Sequence, residues 1–192
     1  MTQFGKLEQW MPKTRAEAFS QLRTFITHDL KQILSLERGG NYAVALLIAI
    51  GSEALSRLQG LPKKTTFKRL VMPYGLDEYM ADDLFDALRP ELSHVYETKF
   101  IKAGPLEFGI YVGWGAFAHM TIVRDRDPQG LYLNVRTMWA DFERILNEAA
   151  DTLGKDDHPI PADWKRELIE NALTESIPGW RRFFEGQQAG GH

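Results

Sequence analysis

Apolar residues recur at helical spacing through the first half of this 192-residue chain, alternate with polar ones between Lys99 and Arg136, and return to helical spacing from Met138. A hydrophobic period that passes from that of a helix to that of a strand and back confines the chain to a mainly α, α+β architecture. The expected form is a helical bundle with a small antiparallel β-sheet of two or three strands inserted before the C-terminal helices.

The local signals place the elements. Thr14-Arg15-Ala16-Glu17 reads as a capping box opening a first helix, whose stripe is Phe19, Leu22, Ile26, Leu30, Ile33 and Leu34. Gly39-Gly40 stops it, and Asn41 is expected to cap a second helix over 42–59. The packed side of that helix reads as Ala43, Leu46, Leu47, Ile50, Ala54, Leu55 and Leu58. Gly60 and Pro62 end it, and residues 63–69 read as a basic connector. A third helical pattern over 77–96 carries Met80, Leu84, Leu88, Leu92 and Val95, one apolar residue per turn.

The β signal is strongest in His119-Met120-Thr121-Ile122-Val123 and Leu131-Tyr132-Leu133-Asn134-Val135, joined by the turn residues Asp127-Pro128-Gln129-Gly130. Phe142, Ile145, Leu146 and Ala149 then mark a helix over 138–153, with Thr137 as its expected cap. A loop over 155–161 precedes a helix starting at Pro161 or Ala162 and ending near Ser176, and the Gly/Gln-rich tail 186–192 reads as disordered. With no internal repeat and no linker, residues 1–185 read as a single domain with its β-hairpin at about 99–136.

Composition removes several functions. The chain has no cysteine, which excludes disulfides and thiolate metal sites. A net charge of -3 argues against tight nonspecific nucleic-acid binding but leaves room for a local basic cleft. The longest apolar run, Ala43 to Ile50, is too short for a bilayer, and the N-terminus lacks a signal-peptide pattern. A cytoplasmic protein without a membrane partner is the expectation. No phosphate loop, dinucleotide fingerprint, nucleophile elbow or zincin motif occurs, so no cofactor or metal is expected. Asp156-Asp157-His158 reads as a solvated loop, His28-Asp29 as a solvated pair, and Arg124 and Arg126 as surface balanced by Asp125 and Asp127.

One segment carries chemistry. In Leu88-Arg89-Pro90-Glu91-Leu92-Ser93-His94-Val95-Tyr96 a cation and a neutral-pH proton carrier lie close together, the minimum for cleaving RNA without a metal. Arg23-Thr24-Phe25-Ile26-Thr27-His28 repeats the spacing on the first helix. Five residues of ideal helix leave such a pair ~140° apart around the axis, flanking the stripe. Pro90 would kink the helix or restart it, and a two-fold dimer offers another way for the two groups to meet.

The segment resembles the Arg-x(4–6)-His signature of the HEPN superfamily. Gly40-Asn41-Tyr42-Ala43-Val44-Ala45 through Gly51-Ser52-Glu53-Ala54-Leu55, then Phe67-Lys68-Arg69, follow the family's order over roughly residues 20–100. Pro90 stands where the family usually carries a polar residue. The resemblance implies a HEPN-like helical bundle, a homodimer, and metal-independent endoribonuclease activity of the kind found in toxin or defence systems, with a cognate antitoxin as partner. His94 would be the general base, Arg89 the phosphate stabiliser, and Glu53 an orienting group. Lys63, Lys64, Lys68 and Arg69, with Phe67 among them, form a cluster able to touch RNA backbone. Two other readings stand beside it: a non-catalytic helical module for protein association or nucleotide binding, and a small-molecule-binding domain whose sheet lids a helical cleft.

Overall fold

The computed structural model describes residues 11–36, 39–94, 101–103, 106–126, 128–162 and 164. Residues 13–159 form one compact unit, while residues 1–12 and 160–192 group as a second. Nearly all the described residues belong to the first. The expected helix from Pro161 or Ala162 to Ser176, past its first residues, and the expected tail lie outside the description.

Within 13–159 the described helices are α1 (Arg15–Leu34), α2 (Asn41–Leu58), α3 (Thr65–Val71), α4 (Glu78–His94) and α5 (Val135–Leu153). A 3₁₀ turn, Met72–Tyr74, follows α3. Four strands, β1 (Ile101–Ala103), β2 (Leu106–Gly113), β3 (Thr121–Val123) and β4 (Gly130–Asn134), lie between α4 and α5. The protein is therefore mainly helical with a small sheet, and no helix among the described residues is long and apolar enough to cross a membrane.

The capping box forms with a variation. Thr14 Oγ1 accepts the Glu17 N–H at 3.2 Å, while the Glu17 carboxylate reaches past the cap to the Lys13 N–H at 2.7 Å. Asn41 does not cap α2. Gly39 and Gly40 take left-handed φ values of 82° and 80°, so the helix begins at Asn41 itself with Gly40 as its cap. The freed Asn41 amide donates instead to the Val112 carbonyl oxygen of β2 at 3.0 Å, tying the start of α2 to the sheet.

α2 is the central element, packed against α1, α3, α4 and α5. Leu55 and Leu58 are buried as expected, but in its first half the buried face is Val44, Ala45, Ile48 and Ala49 rather than Ala43, Leu46, Leu47 and Ile50, and Ile50 is 41% exposed; Ser52 and Ser56 continue the buried face. Small residues let neighbouring helices come close. A Cβ on Gly51 would collide with Ile26 of α1 and Phe142 of α5. Ser56 Oγ donates to the Ser52 carbonyl oxygen (2.9 Å), accepts the Thr66 N–H (2.9 Å) and lies 2.8 Å from Thr66 Oγ1. That buried node fixes the start of α3, so residues 65–69 of the expected connector are helical, while Lys63 and Lys64 precede the helix.

On α4, Ala81, Leu84, Phe85 and Leu88 are buried, and Phe85 meets Phe67 edge-on at 5.2 Å. Met80, expected in the stripe, is half exposed. On α5 all four expected residues, Phe142, Ile145, Leu146 and Ala149, are buried. Its cap is Asn134, whose Oδ1 accepts from Arg136 N and Thr137 N, rather than Thr137.

The sheet differs most from expectation. Its order is β1-β2-β4-β3, and it is mixed. β1 with β2 and β3 with β4 are antiparallel, but β4 lies parallel to β2, with Tyr132 opposite Tyr111 and Leu133 opposite Val112. Alternation along a strand encodes which face is buried and says nothing about a neighbour's direction, which is why an antiparallel sheet was expected. The residues between β2 and β4 include β3, enough chain for a parallel return. His119 and Met120, expected within β3, form the turn before it, with Met120 at a left-handed φ of 57°.

Candidate functional site

The loop 114–120 leaves the end of β2, and its shape is set by a tyrosine from β4. Tyr132 Oη accepts the Gly115 N–H at 3.0 Å and the Ala116 N–H at 3.1 Å. Phe117 packs edge-on against the same ring at 5.2 Å. A Cβ on Gly113 would collide with the Tyr132 hydroxyl, so the close approach needs glycine there.

These contacts wall a cavity of about 400 Å³, within the range of small-molecule sites. Aromatic rings dominate its lining: Tyr42 from α2, Tyr111, Trp114, Phe117 and Tyr132. Among the described residues, Arg126, just past β3, is the charged one in the lining, and no carboxylate lines the cavity. Its guanidinium lies 5.0 Å from the centre of the Tyr111 ring, a cation–π contact, while the Tyr111 hydroxyl donates to Pro128 O at 2.6 Å. Arg126 was expected as plain surface; only folding brings it over an aromatic face. Trp114 Nε1 is buried with no acceptor among the described residues, and Arg136 lies 5.6 Å from the centre of the Trp114 ring.

The far end of the loop is held by His119. Its Nδ1 accepts the Asn134 N–H at 3.0 Å, and Tyr74 stacks edge-on against the ring at 4.6 Å. Burial drives the His119 pKa down to about 4, against a smaller upward pull from Asp141, so the ring is neutral at pH 7. The Tyr74 hydroxyl donates to Asp141 Oδ2 at 2.6 Å; burial first, then that bond, raise its pKa to about 12. Asn134 thus serves twice, capping α5 with its side chain and holding the loop with its backbone.

The residues singled out in the sequence fall elsewhere. α4 is helical through Pro90 to His94, so Arg89 and His94 occupy one helix rather than two; their side chains lie outside the described residues. Glu53 is 7% exposed and ion-paired with Arg57 at 2.9 Å. Lys64 pairs with Asp86 (2.7 Å), Lys68 with Glu78 (3.1 Å) and Asp82 (3.2 Å), and Arg69 with Glu148 (2.9 Å), while Lys63 is exposed. Phe67, the aromatic of that cluster, is fully buried. Asp156 is held by His158 at 2.6 Å and Arg15 at 3.6 Å. Comparison with family models, with curated proteins and with solved structures finds no match.

Proposed function

We propose that this chain is a helical binding module whose sheet-side cavity takes a small planar ligand bearing an anionic group. One observation carries the reading: a cavity walled by aromatic rings whose charged lining residue is the Arg126 guanidinium. Aromatic faces favour a flat apolar body, and an arginine with no carboxylate beside it among the described lining residues favours a carboxylate or phosphate at its edge. Tyr132 spends its oxygen on two backbone N–H groups, which leaves its own proton to donate to a ligand acceptor. The test is a ligand-observed NMR screen comparing aromatic carboxylates with their uncharged amides. Binding of the acids that weakens in Arg126→Ala supports the reading; equal binding of acids and amides contradicts it.

A HEPN-like endoribonuclease is the second reading, favoured by the continuity of α4. On one helix of ideal geometry Arg89 and His94 fall ~140° apart, a spacing from which a two-fold partner would bring one chain's arginine beside the other's histidine. In that reading His94 removes the proton of a ribose 2′-hydroxyl, whose oxygen attacks the adjacent phosphorus. Arg89 stabilises the phosphate oxygens, the 5′-oxygen leaves, and a 2′,3′-cyclic phosphate remains. Glu53 as orienting group, the homodimer, an antitoxin partner and the Lys63, Lys64, Lys68 and Arg69 contacts to RNA all depend on that chemistry.

A further inference from the structure

We infer that the face of α1 carrying Ser20, Arg23, Thr24, Thr27 and His28 is a phosphate-binding groove, independent of the aromatic cavity. The residues line a groove of about 620 Å³ whose other wall is Ala150 and Gly154, at the end of α5. On an ideal helix Arg23 and His28 lie ~140° apart, and Thr27, Ser20 and Thr24 fall between them at roughly 40°, 60° and 100°. The five-residue spacing therefore brackets three hydroxyls on a single face.

Arg23 is positioned rather than loose, because one Nη2 donates to Asn147 Oδ1 of α5 at 2.8 Å. An amide oxygen fixes the guanidinium without neutralising it. Lys64, Lys68, Arg69 and Arg144 all pair with carboxylates. Among the described residues Arg23 and His28 do not, and no carboxylate lines the groove. The hydroxyls of Ser20, Thr24 and Thr27 likewise have no hydrogen-bond partner among the described residues. Asp29, the next residue, is turned ~100° further round the helix, away from the bracket.

A guanidinium, an imidazole and three hydroxyls, with no carboxylate among the described lining residues, match the tetrahedral, acceptor-only oxygens of a phosphate group. The group can belong to a small phosphomonoester or to a nucleic-acid backbone. Both would bind more weakly as salt rises.

The test is an amide-resolved NMR titration of the full chain with sodium phosphate, and in a second arm with a short single-stranded oligouridylate, each against sodium chloride at matched ionic strength. The expected result is chemical-shift change confined to residues 16–28 and 147–154 in at least one arm, with Arg23→Ala raising Kd about tenfold. Saturation by phosphate alone assigns a small phosphoryl ligand; tighter binding of the oligonucleotide assigns the RNA backbone. Undisturbed amides in both arms, or unchanged affinity in Arg23→Ala, overturns the proposal. Should Arg23→Ala lose its fold by circular dichroism, His28→Ala, at an exposed position, makes the same comparison.

Discussion

Tyr132 and Gly115 meet through a 3.0 Å hydrogen bond in which a side chain of β4 takes the place of a turn's own backbone acceptor. With Ala116 bonded to the same oxygen, the near end of the loop over the aromatic cavity is held by one phenolic hydroxyl. Tyr132→Phe keeps the ring and removes that acceptor. We expect a loss of about 1–3 kcal/mol in urea unfolding, since two amides lose their partner. Hydrogen exchange at Gly115 and Ala116 should quicken while the α2 core stays protected.

His119 makes stability depend on pH below neutrality. Its folded pKa of about 4 lies below the ordinary histidine value of 6.5, so the unfolded chain binds the proton more readily. The contribution is present in full above about pH 6.5 and is lost as pH falls towards 4. Protonation also abolishes the Nδ1 lone pair that accepts Asn134 N–H. Urea midpoints measured from pH 7 to 4 should fall, and His119→Gln should flatten part of that slope. An unchanged slope would count against the burial of this ring.

At Gly51 of α2, the side chains of Ile26 from α1 and Phe142 from α5 fill the space a Cβ would take. Gly51→Ala drives a methyl group into Ile26 and Phe142, and the overpacking should cost about 1–3 kcal/mol despite the better helix propensity of alanine. Thermal unfolding measures the balance. A more stable variant would mean that the three helices move apart at no cost.

The ribonuclease reading has its own test. If Arg89 and His94 act on RNA, the purified protein cleaves a single-stranded substrate in EDTA, leaves cyclic phosphate ends, and loses the activity in His94→Ala. Equal cleavage by variant and parent identifies a contaminant, and no cleavage by either rejects the reading.

How much of this was legible in the sequence follows from the kind of signal each element carries. α1 and α5 were readable because a single partnered face leaves a clean stripe, as with Phe142, Ile145, Leu146 and Ala149. α2 was readable as a helix and its second half correctly oriented at Leu55 and Leu58, but the inner face of its first half was not, because residues 43–50 are apolar all round and leave no polar side to mark the outside. The cores of strands β3 and β4 were visible, whereas the parallel pairing of β2 with β4 is a long-range choice that alternation does not encode. The cavity escaped because Tyr42, Tyr111, Trp114, Arg126 and Tyr132 share no motif and meet only in three dimensions. The Gly-rich, aromatic run after β2 was the one local hint.

The most direct check on the aromatic cavity is an intermolecular nuclear Overhauser measurement on the protein with a bound aromatic carboxylate. The account predicts contacts from the ligand ring to the side chains of Tyr111, Phe117 and Tyr132, lost together with binding in Arg126→Ala. A ligand whose contacts fall elsewhere on the protein, or one that binds equally well without Arg126, would contradict it.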